Sequence, residues 1–109
     1  MLRKIFEPTK IGNMELKNRL IVSAMVTNFC DENGIATERY IRYHEAKAKG
    51  GWGLIITEDY GIDEHGKGYS NIAGLWNDQQ IESHRKVTER VHAQGGKIAA
   101  QIYHAGRQT

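Results

Sequence analysis

Three apolar runs of strand length, Leu20–Val26, Gly53–Asp59 and Lys97–Tyr103, alternate with two stretches of helical periodicity. The first run is apolar on both faces and rich in branched residues, as a parallel strand covered on both sides must be. Between the first two runs, Thr37 stands where an N-cap belongs, and Glu38 follows in the first turn, where the helix dipole favours an acid. Tyr40, Ile41, His44 and Ala48 then fall on one helical face before Gly50-Gly51 ends the helix. In the second stretch Asn77 or Asp78 is the cap. Ile81, His84, Val87 and Val91 mark the inner face, and Gly95-Gly96 is the stop. Strands alternating with helices imply right-handed crossovers and a parallel sheet. Ahead of them, Gly12-Asn13 lies between two short alternating segments in Phe6–Leu16, a hairpin signal. The expected fold class is therefore α/β: a short N-terminal hairpin, then three parallel strands alternating with two helices.

That order sets an expectation about completeness. A closed (β/α)₈ barrel needs roughly 250 residues, and this chain has 109. The third strand would end the sheet with an open edge, a pairing hazard. Residues 1–109 are expected to be an incomplete domain, the N-terminal portion of a TIM (β/α)₈ barrel or of another longer α/β protein. The alternative is a complete three-stranded protein.

Composition excludes several classes. An apolar fraction of 39% and a charged fraction of 26% belong to a globular chain rather than a disordered one. A net charge of +2 with interspersed signs gives no basic stripe for nucleic acid. No long apolar stretch suggests a signal peptide or membrane span. Cys30 is the single cysteine, which rules out an internal disulfide or a cysteine metal cluster within the chain and fits a reduced, cytoplasmic setting.

In parallel α/β proteins, ligands bind at the carboxyl ends of the strands. Here those ends carry Ala24-Met25-Val26-Thr27, Thr57-Glu58-Asp59-Tyr60 and Gln101-Ile102-Tyr103-His104. Gln101 offers one carbonyl and one NH₂. It suits either a ring edge with adjacent donor and acceptor atoms or a partner on the neighbouring strand. The small and soft side chains of Ala24, Met25 and Val26 either let a planar ligand lie on strand backbone or simply pack a core. Thr27 adds a hydroxyl at the rim or starts a turn. Glu58 and Asp59 are adjacent in a strand and point to opposite faces. One can face a site while the other bonds a loop, helix end or salt-bridge partner. His104 is a donor to an oxygen or anion, or a structural histidine. Arg107 reaches a phosphate or carboxylate, or stands in solvent. His84 and His92 lie about two helical turns apart, too far to share a metal, and no metal site is expected. Gly50-Gly51-Trp52-Gly53 precedes its strand, so it is not a dinucleotide fingerprint, which needs strand, glycines, then helix.

Phe6-Glu7-Pro8, Ile11-Gly12, Leu16-Lys17-Asn18-Arg19, Ser23-Ala24-Met25, Gly34, Gly53–Glu58, Gly95-Gly96-Lys97 and Gln101 with His104-Ala105-Gly106-Arg107 occur in one order along nearly the whole chain. This ordered set resembles the start of the Old Yellow Enzyme family, the NADH:flavin oxidoreductases. The Ala24–Phe29 and Thr57–Gly61 variants look most like its branch of 2,4-dienoyl-CoA and enoate reductases. The resemblance implies an FMN-binding (β/α)₈ barrel whose bottom is closed by the hairpin. It implies that Ser23, Ala24, Met25 and Val26 line the flavin, that the position of Asp59 contacts it through backbone, and that Gln101 bonds its pyrimidine edge. Thr27 and His104 are the substrate-side candidates. The chemistry implied is hydride transfer from NADH or NADPH to FMN and then to an activated alkene. Many members carry Cys or Thr where Val26 stands and use it to tune the flavin; Val26 makes no such hydrogen bond. The family's proton-donating Tyr, its substrate-binding His/Asn pair and its phosphate loops correspond to positions beyond Thr109. So do the iron–sulfur cluster and FAD domain of longer members. The chain alone is thus expected to be inactive. Two other readings stay open: a different (β/α)₈ barrel enzyme, and a non-catalytic fragment that forms homo-oligomers through its open sheet edge.

Overall fold

The computed structural model describes residues 3–109. A short helix, α1 (Arg3–Phe6), leads into the antiparallel hairpin of β1 (Thr9–Ile11) and β2 (Met14–Leu16), paired Thr9 to Leu16 and Ile11 to Met14. Gly12 takes φ +57° at the turn, the left-handed conformation glycine adopts without penalty. The hairpin is the expected one; α1 carries no sequence signal beyond four residues of mixed polarity.

The main sheet is parallel, as expected. β3 (Ile21–Val22) pairs with β4 (Leu54–Gly61), and β4 pairs on its other side with β6 (Ile98–Tyr103). A two-residue strand, β5 (Ala73–Gly74), joins the far end of β4 in parallel register and has no periodic signal in the sequence. Val22, Ile55 and Ile98 stand level across the three main strands.

β3 is shorter than the apolar run suggests. The expected strand reached Val26, but residues 23–29 have no regular structure. Just past the end of its pairing with β3, β4 is irregular: its register to β6 shifts between Ile56 and Asp59, one extra residue on β4. Such a bulge bends its strand and disrupts the ladder locally, and pairing with β6 resumes from Asp59 to Gly61. Beyond Val22 the chain is held by side chains instead of a strand carbonyl: the Thr27 amide donates to a carboxylate oxygen of Glu58 at 3.0 Å.

Two helices cover one face of the sheet. In α2 (Glu38–Lys49), Thr37 is the N-cap, its hydroxyl accepting from the Tyr40 amide at 3.2 Å; Tyr40, Ile41, His44 and Ala48 are buried as the periodicity predicts. Before α3 (Ile81–Ala93), Asn77 is the cap and forms a reciprocal capping box with Gln80. His84, Val87 and Val91 face inward, but Ile81 is 52% exposed. The single turn Asp78–Gln80 that precedes α3 is tightly wound, and it gives the inward position to Gln80, which is fully buried. Arg90 of α3 locks the helices together with two bonds to the Glu45 carboxylate, at 3.0 and 2.8 Å, and one to Glu38 at 2.9 Å.

The core therefore lies between helices and sheet. One cluster holds Cys30, Ala36, Tyr40, Ile41, Tyr60, Ala73 and Val87; a second holds Val22, Ala48, Ile55 and Val91. The other face of the sheet is open. Residues 99–102 of β6 are exposed, and among the described residues β6 pairs only with β4.

Candidate functional site

The carboxyl ends of β3, β4 and β6 meet at one rim because the three strands run in one direction. Asp59 of β4 and Gln101 of β6 are register partners, and the Gln101 amide Nε2 donates to Asp59 Oδ1 at 2.9 Å. Of the two alternatives left open for Gln101, the bond meets the second without closing off the first. The amide does bond the neighbouring strand, yet the side chain is exposed, with its carbonyl and one N–H free. Asp59 orients an amide whose remaining donor and acceptor face outward.

Ser23, Ala24, Met25 and Val26 follow β3 directly at the same rim. Ser23 and Met25 are exposed, Met25 by 54%, and Ala24 and Val26 are half-buried. Met25 at the open end of a sheet offers a soft apolar surface.

Thr27 turns inward. Its hydroxyl donates to Glu58 Oε1 at 2.6 Å, and its amide donates to the same oxygen. Asn28 then takes φ +60°, and its side-chain oxygen accepts from the Asn71 amide at 3.1 Å. Asn is among the few residues that tolerate this conformation.

His104 is exposed, and its Nδ1 accepts from the Gly106 amide at 2.9 Å. Its ring lies flush on Gly66, where a Cβ would stand 2.5 Å from His104 Cδ2. Gly68 likewise leaves room for the Tyr103 hydroxyl, and the Ala105 amide donates to the Gly66 carbonyl at 2.8 Å. The glycine-rich loop after β4 thus packs on the loop after β6. The Gly66-Lys67-Gly68 spacing was the available signal for this contact. Arg107 is exposed.

Behind the rim lies a group of buried polar side chains that the sequence did not bring together. Glu58 and His44 are each 2% exposed, with Glu58 Oε2 at 4.0 Å from His44 Nε2. Glu58 Oε2 and both imidazole nitrogens have no hydrogen-bond partner. Burial raises the Glu58 carboxyl above the ordinary carboxylate range, against the lowering effect of the Thr27 bonds. Burial, helped by the Lys47 charge, lowers His44 from 6.5 to about 4. Nearby, His84 Nε2 meets the Gly34 carbonyl at 3.0 Å and its Nδ1 meets the Tyr60 hydroxyl at 3.1 Å. The carbonyl can only accept, so Nε2 carries the proton and the Tyr60 hydroxyl donates to Nδ1.

These environments set a pH dependence. The folded His44 resists protonation, so its contribution to stability is complete above its unfolded value and lost as pH falls through the window toward its folded one. His84, also lowered by burial, acts in the same direction. Glu58 acts oppositely: raised in the fold, it contributes fully at low pH and loses that contribution as pH climbs. We expect His44 alone to make the protein about 2 kcal/mol less stable at about pH 5 than at about pH 7.5. Urea denaturation at both values, with His44→Leu abolishing that share of the difference, checks it.

A parallel β/α sheet whose strands end at one rim is the arrangement of a (β/α)₈ barrel, a fold in which ligands bind at the carboxyl ends of the strands. The NADH:flavin oxidoreductase / NADH oxidase family model matches residues 4–109, and the chain belongs to that family. It is 40% identical over 106 residues to an NADH oxidase of Thermoanaerobacter brockii, covering 96% of this chain and 16% of that protein. It is 38% identical over 109 residues to an NADPH dehydrogenase of Bacillus subtilis, covering 99% of this chain and 32% of that one. Among solved structures it superposes on Old Yellow Enzyme from a Pichia species with TM-score 0.91 at 31% identity, covering 97% of this chain and 28% of that one. A 2-naphthoyl-CoA reductase complex gives TM-score 0.95 at 35% identity, with 99% and 16% coverage. The fold is that of the N-terminal part of the barrel, as expected, and the chain spans a third or less of the length of these proteins. Among the described residues, no helix is long and apolar enough to cross a membrane.

Proposed function

We propose that this chain forms the N-terminal part, residues 1–109, of an FMN-dependent oxidoreductase domain that takes hydride from NADH or NADPH and reduces an activated C=C bond. The observation that carries the reading is the Gln101 amide, fixed by Asp59 and exposing one donor and one acceptor at the rim. A flavin pyrimidine ring presents an N–H flanked by carbonyl oxygens, the complement of that edge. Met25 and its neighbours supply a surface for the ring system, and Val26 gives it no hydrogen bond. The residues present therefore fit the cofactor. FMN, when bound, supplies the hydride store between a nicotinamide and the alkene.

The protein's own groups bind and orient. Gln101 fixes the ring edge, the backbone at Asp59 lies alongside, and Ser23 to Val26 support the flat face. On this reading Thr27 serves through its bonds to Glu58, and His104 stands at the substrate side, held by Gly66. Similarity to a 2-naphthoyl-CoA reductase supports a conjugated thioester as the acceptor class, with enoates and enones as alternatives. The phosphate site and proton donor would come from chain outside this segment, as would any iron–sulfur or FAD domain, and the setting would be cytoplasmic. The free edge of β6 supports self-association of the segment alone as a second reading.

The test is Gln101→Ala in the full-length protein. We expect FMN binding to weaken about 10- to 100-fold, the equivalent of a lost ring-edge hydrogen bond and an unpaired partner. Equilibrium dialysis with flavin fluorescence measures it. Unchanged affinity, or a full-length protein that binds no flavin, would sink the assignment.

A further inference from the structure

We propose that Glu58 is the positioning residue of the flavin-lining segment, a neutral carboxyl that accepts both Thr27 donors on Oε1 and presents its Oε2 proton to His44. The inference rests on the FMN reading above and goes beyond it.

The geometry is asymmetric, as in a carboxylic acid whose two oxygens differ. Oε1 takes two donors, the Thr27 amide at 3.0 Å and hydroxyl at 2.6 Å, while Oε2 takes none. An ionised carboxylate spreads its charge over both oxygens and draws donors to each; a protonated one has a carbonyl that accepts and a hydroxyl that donates. The group facing Oε2 is an imidazole nitrogen with no other partner, at 4.0 Å. Both side chains are 2% exposed; the cost of burial and the Asp59 charge favour the neutral acid, against the two Thr27 donors and the Lys47 charge, which favour the carboxylate. The Lys47 charge also disfavours an imidazolium at His44. Thr27 directly follows Val26, so a clamp on Thr27 fixes the end of the segment from Ser23 to Val26. That segment has no strand pairing of its own, since regular structure stops at Val22. Glu58 is its anchor at Thr27, and the Asn71 amide on the Asn28 side chain and the Thr37 hydroxyl on the Phe29 carbonyl hold the chain that follows.

The proposal is tested in the full-length flavoprotein with Glu58→Ala, Glu58→Gln and Val87→Ala. The last removes core volume without touching the Thr27 bonds to Glu58 and serves as a stability control. FMN affinity and the visible circular dichroism of the bound flavin are read for each, the latter at saturating FMN. Glu58→Ala should weaken FMN binding about tenfold and alter the flavin dichroism, as loss of two hydrogen bonds to a lining segment predicts. Glu58→Gln keeps a carbonyl for Thr27 and an N–H for His44, and should restore both readouts to within about threefold of the parent. Val87→Ala should lose stability and keep the parent spectrum. If Glu58→Ala does not fold, Thr27→Val, which deletes the hydroxyl donor to Glu58 and with it a long acceptor contact for the Phe29 amide, should show the same spectral change with a smaller affinity loss. A Gln variant as impaired as the Ala variant would overturn the neutral-acid form. A parent-like spectrum and affinity in Glu58→Ala or Thr27→Val, or an equal effect from Val87→Ala, would overturn the positioning role. A parent protein that binds no FMN would instead overturn the functional reading itself.

Discussion

Replacing Gly34 by Ala should destabilise the protein by at least about 3 kcal/mol, among the largest effects of any single substitution in this chain. Two costs coincide there. Gly34 adopts φ +72°, a conformation that costs an L-residue about 1–2 kcal/mol. A Cβ at that position would also stand 2.9 Å from both the amide nitrogen and Cα of Gly74, backbone that cannot swing aside, and 2.7 Å from Gln80 Nε2. The Gly34 carbonyl is meanwhile the acceptor for the Gly74 amide and His84 Nε2, each at 3.0 Å. Any backbone shift that relieves the clash breaks these bonds. Gly12→Ala separates the two costs: φ is +57° and nothing lies within 4 Å of the added carbon. That variant should lose only about 1 kcal/mol. Chemical denaturation of both variants measures the difference, and equal losses would show that packing at Gly34 contributes nothing.

The same residue shows what the sequence could and could not say. Gly34 reads as the end of a polar turn, Asp31-Glu32-Asn33-Gly34, and it is one, with the Asp31 carboxylate accepting from the amides of Asn33 and Ile35. Turn chemistry is local, so it is legible. That this turn is pressed against β5 and Gln80 is not, because the contact joins segments about forty residues apart. The strands, helices and their caps were legible for the same reason: Thr37, Asn77, the buried helix faces and the hairpin all rest on short-range pattern. The failures mark long-range forces. β3 ends at Val22, just before the irregular stretch of β4, and the Glu58 carboxyl on β4 holds the chain beyond it at Thr27. Ile81 faces solvent because Gln80 takes its place. Parallel order alone placed Asp59 and Gln101 at one rim, though not their bond, and nothing in the sequence tied His44 to Glu58, which lie fourteen residues apart on a helix and a strand.

Gln80 carries the second large prediction. It is fully buried, an unusual place for an amide, and every polar atom it has is directed at backbone. Its Oε1 accepts from the Trp76 and Asn77 amides at 2.8 and 3.2 Å, and its Nε2 donates to the Asn33 carbonyl at 2.9 Å. One side chain thus joins the start of α3 to the turn that continues the rim segment. Gln80→Ala removes all three bonds and leaves a void, and should cost about 3–5 kcal/mol. Gln80→Glu discriminates between lost packing and lost hydrogen bonding. The carboxyl fills the same space and still accepts from Trp76 and Asn77. Protonated, it also donates to Asn33; ionised, it places an acceptor against that carbonyl and buries a charge. Burial raises its folded pKa above the unfolded value, so its stabilising contribution is complete in acid and lost as pH rises through the folded pKa. Measured against the parent at each pH, Gln80→Glu should therefore approach parental stability near about pH 4 and fall toward the Ala variant by about pH 8. A gap that does not change with pH would mean that the Asn33 bond is dispensable and that Gln80 acts there by volume alone.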